Sequence, residues 1–217
     1  MKIVEPSIEV LTPINHDEII MAIERAARTC YKSESKITPE SGVKMVKRLI
    51  SSGHMAMLEH YSLSVKFVCD RGVSHEIVRH RVASYAQEST RYCNYAKEQF
   101  GNEITVIRPF FFPEGSKEYL EWFMACESCQ NAYNALIECG CSPQEARSVL
   151  PNSLKTEIVV TMNLREWIHF FNLRVLGTTG KPHPQMKQVA ALALKVFGTK
   201  LPEIFGDQLD AYLKEVA

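Results

Sequence analysis

The stretch Arg79-His80-Arg81-Val82-Ala83-Ser84-Tyr85-Ala86-Gln87-Glu88-Ser89-Thr90-Arg91-Tyr92 is the part of this chain that a fold has least freedom in placing. It concentrates three arginines, a histidine, a carboxamide and several hydroxyls, with little apolar content. Buried cations cost several kcal/mol when unpaired, so no core can absorb such a segment. Guanidinium forks grip phosphate and planar carbonyl edges with two parallel hydrogen bonds. The stretch therefore reads as an anion site around which the rest of the chain must build a core. The plainer alternative is a surface ion-pair network through Glu76, Glu88 and Glu98. Two of those acids lie close to the arginines in sequence, too few to cancel them.

With 217 residues and 46% hydrophobic content, the chain can bury one sizeable core, and a single domain over 1–217 is expected. Lysine and arginine number 25 and aspartate and glutamate 25, so there is no basic excess of the kind a dedicated nucleic-acid or anionic-membrane binder carries. The first residues, Met1 to Glu5, lack the apolar run of a signal peptide. No stretch of about 18 apolar residues exists to span a membrane. A cytoplasmic location follows as the default. The seven cysteines are an odd number without a secretory context, which argues for free thiols. Cys126, Cys129, Cys139 and Cys141 invite a zinc reading, but the first pair falls inside a helical pattern and the second is C-x-C.

The patterning mixes strands and helices. Lys2–Leu11 alternates like a strand, and so does Tyr61–Cys69, with Leu63, Val65, Phe67 and Cys69 on one face. Lys155–Met162 is a third, β-branched strand, and Ile104–Arg108 a short one. Apolar stripes predict helices over Asp17–Cys30, Thr38–Ile50, Ser116–Glu138 and Pro184–Phe197. Val73–Val82 reads as a helix carrying the front of the arginine cluster. Ser142-Pro143-Gln144-Glu145 is a capping box opening a helix to Leu150, and Asn163-Leu164-Arg165-Glu166 opens another through Arg174. The expected class is α+β, with a mostly antiparallel or mixed central sheet flanked by helices.

Outside the opening cluster, each candidate has a plainer reading. Arg174 closes an apolar helix face, where an arginine either snorkels or binds something. Asn163 reads first as a helix cap. His54 and His60, six apart, lack the spacing of helical metal ligands, and no metal is expected. Gly177 to Lys181 has the tail of a phosphate loop without its spacing. No nucleophile motif is present. Residue patterns alone reach an anion-binding α+β domain.

Further residues carry a resemblance. Arg79-His80-Arg81, seven residues, Ser89 and then Arg91-Tyr92 resemble the signature of the flavin-dependent thymidylate synthases. Gly53-His54 through Glu59-His60, Arg147 to Pro151, and Asn163-Leu164-Arg165-Glu166-Trp167 to Leu173-Arg174 are similar to that family's other blocks, in the same order. The similarity spans roughly residues 15–200. It implies an enzyme converting dUMP to dTMP with FAD, NADPH and 5,10-methylenetetrahydrofolate, in a homotetramer with inter-subunit active sites. By the same resemblance FAD is held by Arg79, His80, Arg81, Gln87, Asn163, Arg165 and His169. The nucleotide is held by Glu76, Arg79, Gln87, Ser89, Arg91, Arg147 and Arg174, with Arg174 also activating the uracil ring. His54 lies near the folate and flavin rings, and Cys93 has no covalent role. Ala86 and His169 stand where other members carry Asn, and Ala56 where some carry a hydroxyl residue. The rival class is a non-enzymatic RNA-binding module that clamps backbone and stacks bases with the Arg/Tyr stretch.

Overall fold

A computed structural model describes residues 1–97 and 101–217, which leaves Glu98 outside the described residues. The fold is α+β, as expected from the sequence pattern. Its elements run β1 (Lys2–Val4), β2 (Ser7–Val10), α1 (His16–Thr29), α2 (Ser41–Ser51), β3 (Ser62–Asp70), α3 (Arg71–Ile77), β4 (Ser84–Gln87) and β5 (Thr105–Ile107). They continue with α4 (Lys117–Glu138), α5 (Pro143–Ala146), β6 (Lys155–Asn163), α6 (Leu164–Arg174), α7 (Pro184–Lys200) and α8 (Pro202–Val216). Strands β2, β3, β6 and β4 form a four-stranded antiparallel sheet in that order, and β1 and β5 form a separate parallel pair. By packing, the chain divides into two compact units. One holds residues 1–7, 67–79 and 86–158, the other 8–66, 80–85 and 159–217.

In the first unit, Ile3 pairs with Val106 in the parallel ladder, and the core gathers Tyr95, Ile104, Val106, Cys126, Tyr133 and Leu154. Ser116 caps α4 by accepting from the Tyr119 N–H at 3.1 Å, and Asp70 caps α3 by accepting from Val73 at 2.7 Å. The capping box at Ser142 forms as read, with Glu145 reaching back to the Ser142 N–H at 2.8 Å. Cys126 lies in this core, where burial pushes its thiol up to about 11.

The second unit is built on an aromatic wall. Trp167, Phe170, Phe171, Phe197 and Phe205 are all fully buried, with Trp167 and Phe197 centred 5.2 Å apart and Phe171 and Phe205 5.7 Å apart. Trp167 donates its indole N–H to the Leu63 carbonyl at 3.1 Å, which satisfies the one polar atom of that ring. Between α1 and α2, the buried carboxylate of Glu24 accepts from Arg28 at 2.7 Å and from the Ser41 hydroxyl at 2.7 Å.

Four sequence readings change. The strand expected over Lys2–Leu11 is interrupted at Glu5-Pro6, and its halves join different sheets, because Pro6 has no N–H to continue a ladder. The helix expected over Val73–Val82 starts earlier and ends at Ile77. The helix expected from Thr38 begins at Ser41, and that from Ser142 passes into a 3-10 turn over Arg147–Val149. Strand β4 and helix α8 were not anticipated. Helix α8 packs closely on α7: a Cβ at Gly198 would lie 2.7 Å from the Leu209 Cβ. Gly198→Ala is therefore expected to destabilise the protein by about 1–3 kcal/mol in urea unfolding, despite the better helix propensity of alanine. A neutral or stabilising result would mean that α7 and α8 are not in this contact.

Candidate functional site

Of the residues singled out from the sequence, Glu76, Arg79, Gln87, Ser89, Arg91 and Arg147 fall in the first unit. Gln87, on β4, donates its amide N–H groups to the Ser74 hydroxyl at 2.9 Å and the Thr156 hydroxyl at 3.2 Å. Its carbonyl oxygen is then the end suited to a ligand donor. Ser89 opens a tight turn, accepting from the Arg91 N–H at 3.3 Å while its carbonyl takes the Cys93 N–H. That turn points Arg91 to the surface, where Nε donates to Gln144 at 2.8 Å and the guanidinium lies 5.5 Å from the Tyr92 ring centre. Arg147 donates to the Thr90 hydroxyl at 3.3 Å.

Glu88, one of the acids that could have neutralised these arginines, turns elsewhere. It accepts from Lys155 at 3.0 Å and from the Tyr95 hydroxyl at 3.1 Å. Arg71 donates to the Glu88 main-chain oxygen at 3.4 Å. Burial, reinforced by the Glu88 charge, raises the Cys93 thiol, which keeps it protonated and a poor nucleophile.

A cavity of about 240 Å³ opens beside this group, lined by Arg71, His75, Thr90, Arg147, Ser148 and Asn152 among others. Two guanidiniums, an imidazole and two hydroxyls are a donor set for a phosphate-sized anion. Arg71 is not among the residues singled out from the sequence. The signal was its spacing of four from His75, which puts both on one face of α3.

His54, His80, Arg81, Asn163, Arg165, His169 and Arg174 fall in the second unit. Strand β6 passes into α6 with no loop, and Asn163 caps the helix by accepting from the Glu166 N–H at 2.9 Å. The oxygen of Asn163 is thus spent on the cap, and its amide nitrogen is the end suited to a ligand. Arg165 pairs with Glu59 at 2.6 Å, a solvent-exposed bridge worth little and easily exchanged. A second cavity, of about 320 Å³, brings His54 and Arg165 together with Ala56, Tyr31, Met55 and Met57. An apolar, partly aromatic wall with one guanidinium suits a planar ring system carrying negative charge, and so fits part of a flavin dinucleotide. Arg81 is exposed.

At the centre of this half is His80, buried to 3% exposure. Its Nδ1 lies 3.1 Å from Glu166 Oε1, and its Nε2 accepts from Arg174 Nε at 3.1 Å. Phe170 packs edge-on at 4.9 Å and His169 at 5.7 Å, while the Tyr85 hydroxyl donates to the His80 carbonyl. His80, Glu166 and His169 form the one group of three metal-capable side chains found among the described residues, so the cysteines do not converge on a zinc site. The Arg174 charge against the same imidazole works against a cation there.

A family model described as "Thymidylate synthase complementing protein" matches residues 14–203, most of the chain. Among curated proteins, the flavin-dependent thymidylate synthase of Geobacter sulfurreducens is 34% identical over 193 residues, covering 86% of this chain and 80% of that protein. That of Pyrococcus horikoshii is 40% identical over 141 residues, 64% of this chain and 57% of that protein. Among solved structures, the UMP/dUMP methylase PolB from Streptomyces cacaoi, bound with 5-Br dUMP, superposes with a TM-score of 0.77. It is 20% identical and covers 99% of this chain and 97% of its own, a likeness of fold. The fold and the matched span place the protein in an enzyme class built on this α+β scaffold. The chain belongs to the flavin-dependent thymidylate synthase family.

Burial, then the charges of Arg174 and His169, pull His80 down from 6.5 to about 4. The unfolded chain binds this proton below 6.5 and the folded protein only below about 4, so stability is full above 6.5 and is lost as pH falls between the two. Glu166, raised by burial, contributes the opposite slope at the acid end. His80→Asn is therefore expected to be less stable at pH 7 yet to lose stability less steeply from pH 6.5 to 4. The difference in slope, read from urea unfolding, approaches about 1.4 kcal/mol per pH unit. Equal slopes would mean that His80 is not buried neutral.

Proposed function

We propose that this chain, working as one domain over 1–217, is a flavin-dependent thymidylate synthase that methylates dUMP reductively. The carbon donor is 5,10-methylenetetrahydrofolate, and the balanced reaction joins it with dUMP, NADPH and a proton to give dTMP, tetrahydrofolate and NADP⁺. The observation that carries the reading is Arg174: a guanidinium at the end of a core helix, half-buried, with its Nε tied to a buried imidazole. A guanidinium tied at Nε has its plane fixed, and a planar uracil edge calls for a guanidinium of fixed plane. Beside the uracil N3–H such a cation favours the ionised ring and makes C5 more electron-rich.

The phosphate of dUMP is met by Arg91 and Arg147, with Ser89 as a hydroxyl donor and Glu76, Arg79 and Gln87 toward the nucleoside. The donor set around Arg147 supports this, because a dianion needs several cations and hydroxyls at once. FAD is held by Arg79, His80, Arg81, Gln87, Asn163, Arg165 and His169, with His54 near its ring and the folate. When bound, the flavin supplies the hydride chemistry that no side chain can. No covalent protein nucleophile is needed, in keeping with a protonated Cys93. The active enzyme is a cytoplasmic homotetramer with active sites shared between subunits. The RNA-binding alternative is set aside, since the relatives named above are thymidylate synthases and a nucleotide methylase by name.

An assay of dTMP formation from dUMP, with FAD, NADPH and methylenetetrahydrofolate, tests the reading. Arg174→Ala is expected to lower kcat by about 100-fold or more, the scale of losing one transition-state donor. Arg91→Ala is expected to raise KM for dUMP by about 10-fold or more through loss of a phosphate contact. Full activity in both variants would remove the site assignment. A wild-type protein that binds no flavin and makes no dTMP would remove the function.

A further inference from the structure

We propose that Glu166, acting through His80, is a positioning residue for Arg174: its carboxylate holds the imidazole in the one tautomer that can accept from the arginine. The inference rests on the reading of Arg174 as the group that meets the uracil ring. It starts from donor and acceptor chemistry. A guanidinium has no acceptor, so in the 3.1 Å contact Arg174 Nε must donate and His80 Nε2 must be bare. A neutral imidazole keeps one proton, which must then sit on Nδ1. The atom facing Nδ1, 3.1 Å away, is Glu166 Oε1, a pure acceptor when ionised.

Each part of the chain is itself held. Glu166 stands in the first turn of α6, where its N–H is taken by the Asn163 cap. Arg174 ends the same helix, eight residues on and about 12 Å further along its axis. His80 spans the gap, clamped by Phe170 and His169 on its ring and by Tyr85 on its carbonyl. Protonating His80 would abolish the acceptor and set two cations against each other. The low basicity of this imidazole, caused by burial and by Arg174, keeps that from happening near neutral pH. With both ring nitrogens engaged in this way, any contact of His80 with flavin is left to the ring's edge or face and to its main chain, while the nitrogens serve Arg174.

Nitrogen-15 NMR of histidine-labelled full-length protein, with His80 assigned through His80→Asn, reads the tautomer directly. The expected result is a neutral ring protonated on Nδ1 from pH 5 to 8. In Glu166→Ala the ring is expected to shift toward the Nε2–H form. The kcat for dTMP formation should fall about 10–100-fold, the usual cost of losing an outer-shell partner, while KM for dUMP and flavin content change little. Glu166→Gln keeps an acceptor for Nδ1–H and is expected to recover most of kcat. An Nε2–H tautomer in the native protein overturns the proposal, as does full activity in Glu166→Ala or equal loss in the Gln and Ala variants. If Glu166→Ala does not fold, the native tautomer and the Gln variant still decide. A native protein that makes no dTMP while keeping the Nδ1–H tautomer sinks the assigned reaction and leaves the positioning geometry standing.

Discussion

Helix α6 must satisfy two demands that pull against each other, and the second unit is arranged around that conflict. One face supplies Trp167, Phe170 and Phe171 to a dry aromatic wall. The same helix carries Arg165, Glu166, His169 and Arg174, none of which that wall can take. Strand β6 settles the register by entering α6 without a loop and donating its last residue, Asn163, as the cap. Once the cap is formed, the rotation of the helix is set, and with it which side chains meet the wall and which meet His80. A shift of one residue would rotate the helix by about 100° and put Glu166 or Ile168 where Trp167 now sits.

The first unit answers its own version of the problem by directing charge inward. Glu88 could have neutralised the arginines beside it, but it joins Lys155 and the Tyr95 hydroxyl. Burial and that carboxylate raise the Tyr95 phenol far above its ordinary value, so it acts as a fixed donor. The acid is consumed in holding strands and turn together, and Arg91 and Arg147 keep their positive charge at the surface. A dense arginine stretch can thus be stably folded and still present cations to a ligand.

Much of this was legible in the sequence because it depends on local rules. The alternation of Leu63, Val65 and Phe67 against Ser62, Ser64 and Lys66 announced β3, and Ser116, Ser142 and Asn163 announced three helix starts through capping chemistry. What escaped notice depends on distant partners. Strand β4 reads Ser-Tyr-Ala-Gln, with no β-branched residue, and is a strand because it pairs with β6, more than 65 residues further along the chain. Helix α8 hid because Gln208 interrupts its apolar stripe, and that buried glutamine donates to the Ile168 carbonyl at 2.9 Å and to Asn172 Oδ1 at 2.5 Å. Composition alone reads the Arg79–Tyr92 stretch as an anion site. The assignment of its histidine is not legible in that way, since Glu166 and Arg174 lie 86 and 94 residues away.

The carboxylate–imidazole–guanidinium line invites comparison with a proton relay, and its chemistry makes it the reverse. A relay needs a terminal group that can take or release a proton in turn. Here the far end is an arginine, whose Nε already carries hydrogen and whose charge is permanent across the working pH range. The proton on Nδ1 has nowhere to go through Nε2, because that lone pair is already filled by the arginine's own N–H. The line is therefore an insulator with respect to protons and a strut with respect to position. No proton can reach the Arg174 end along this line, and the interior of the protein is closed to it from this side.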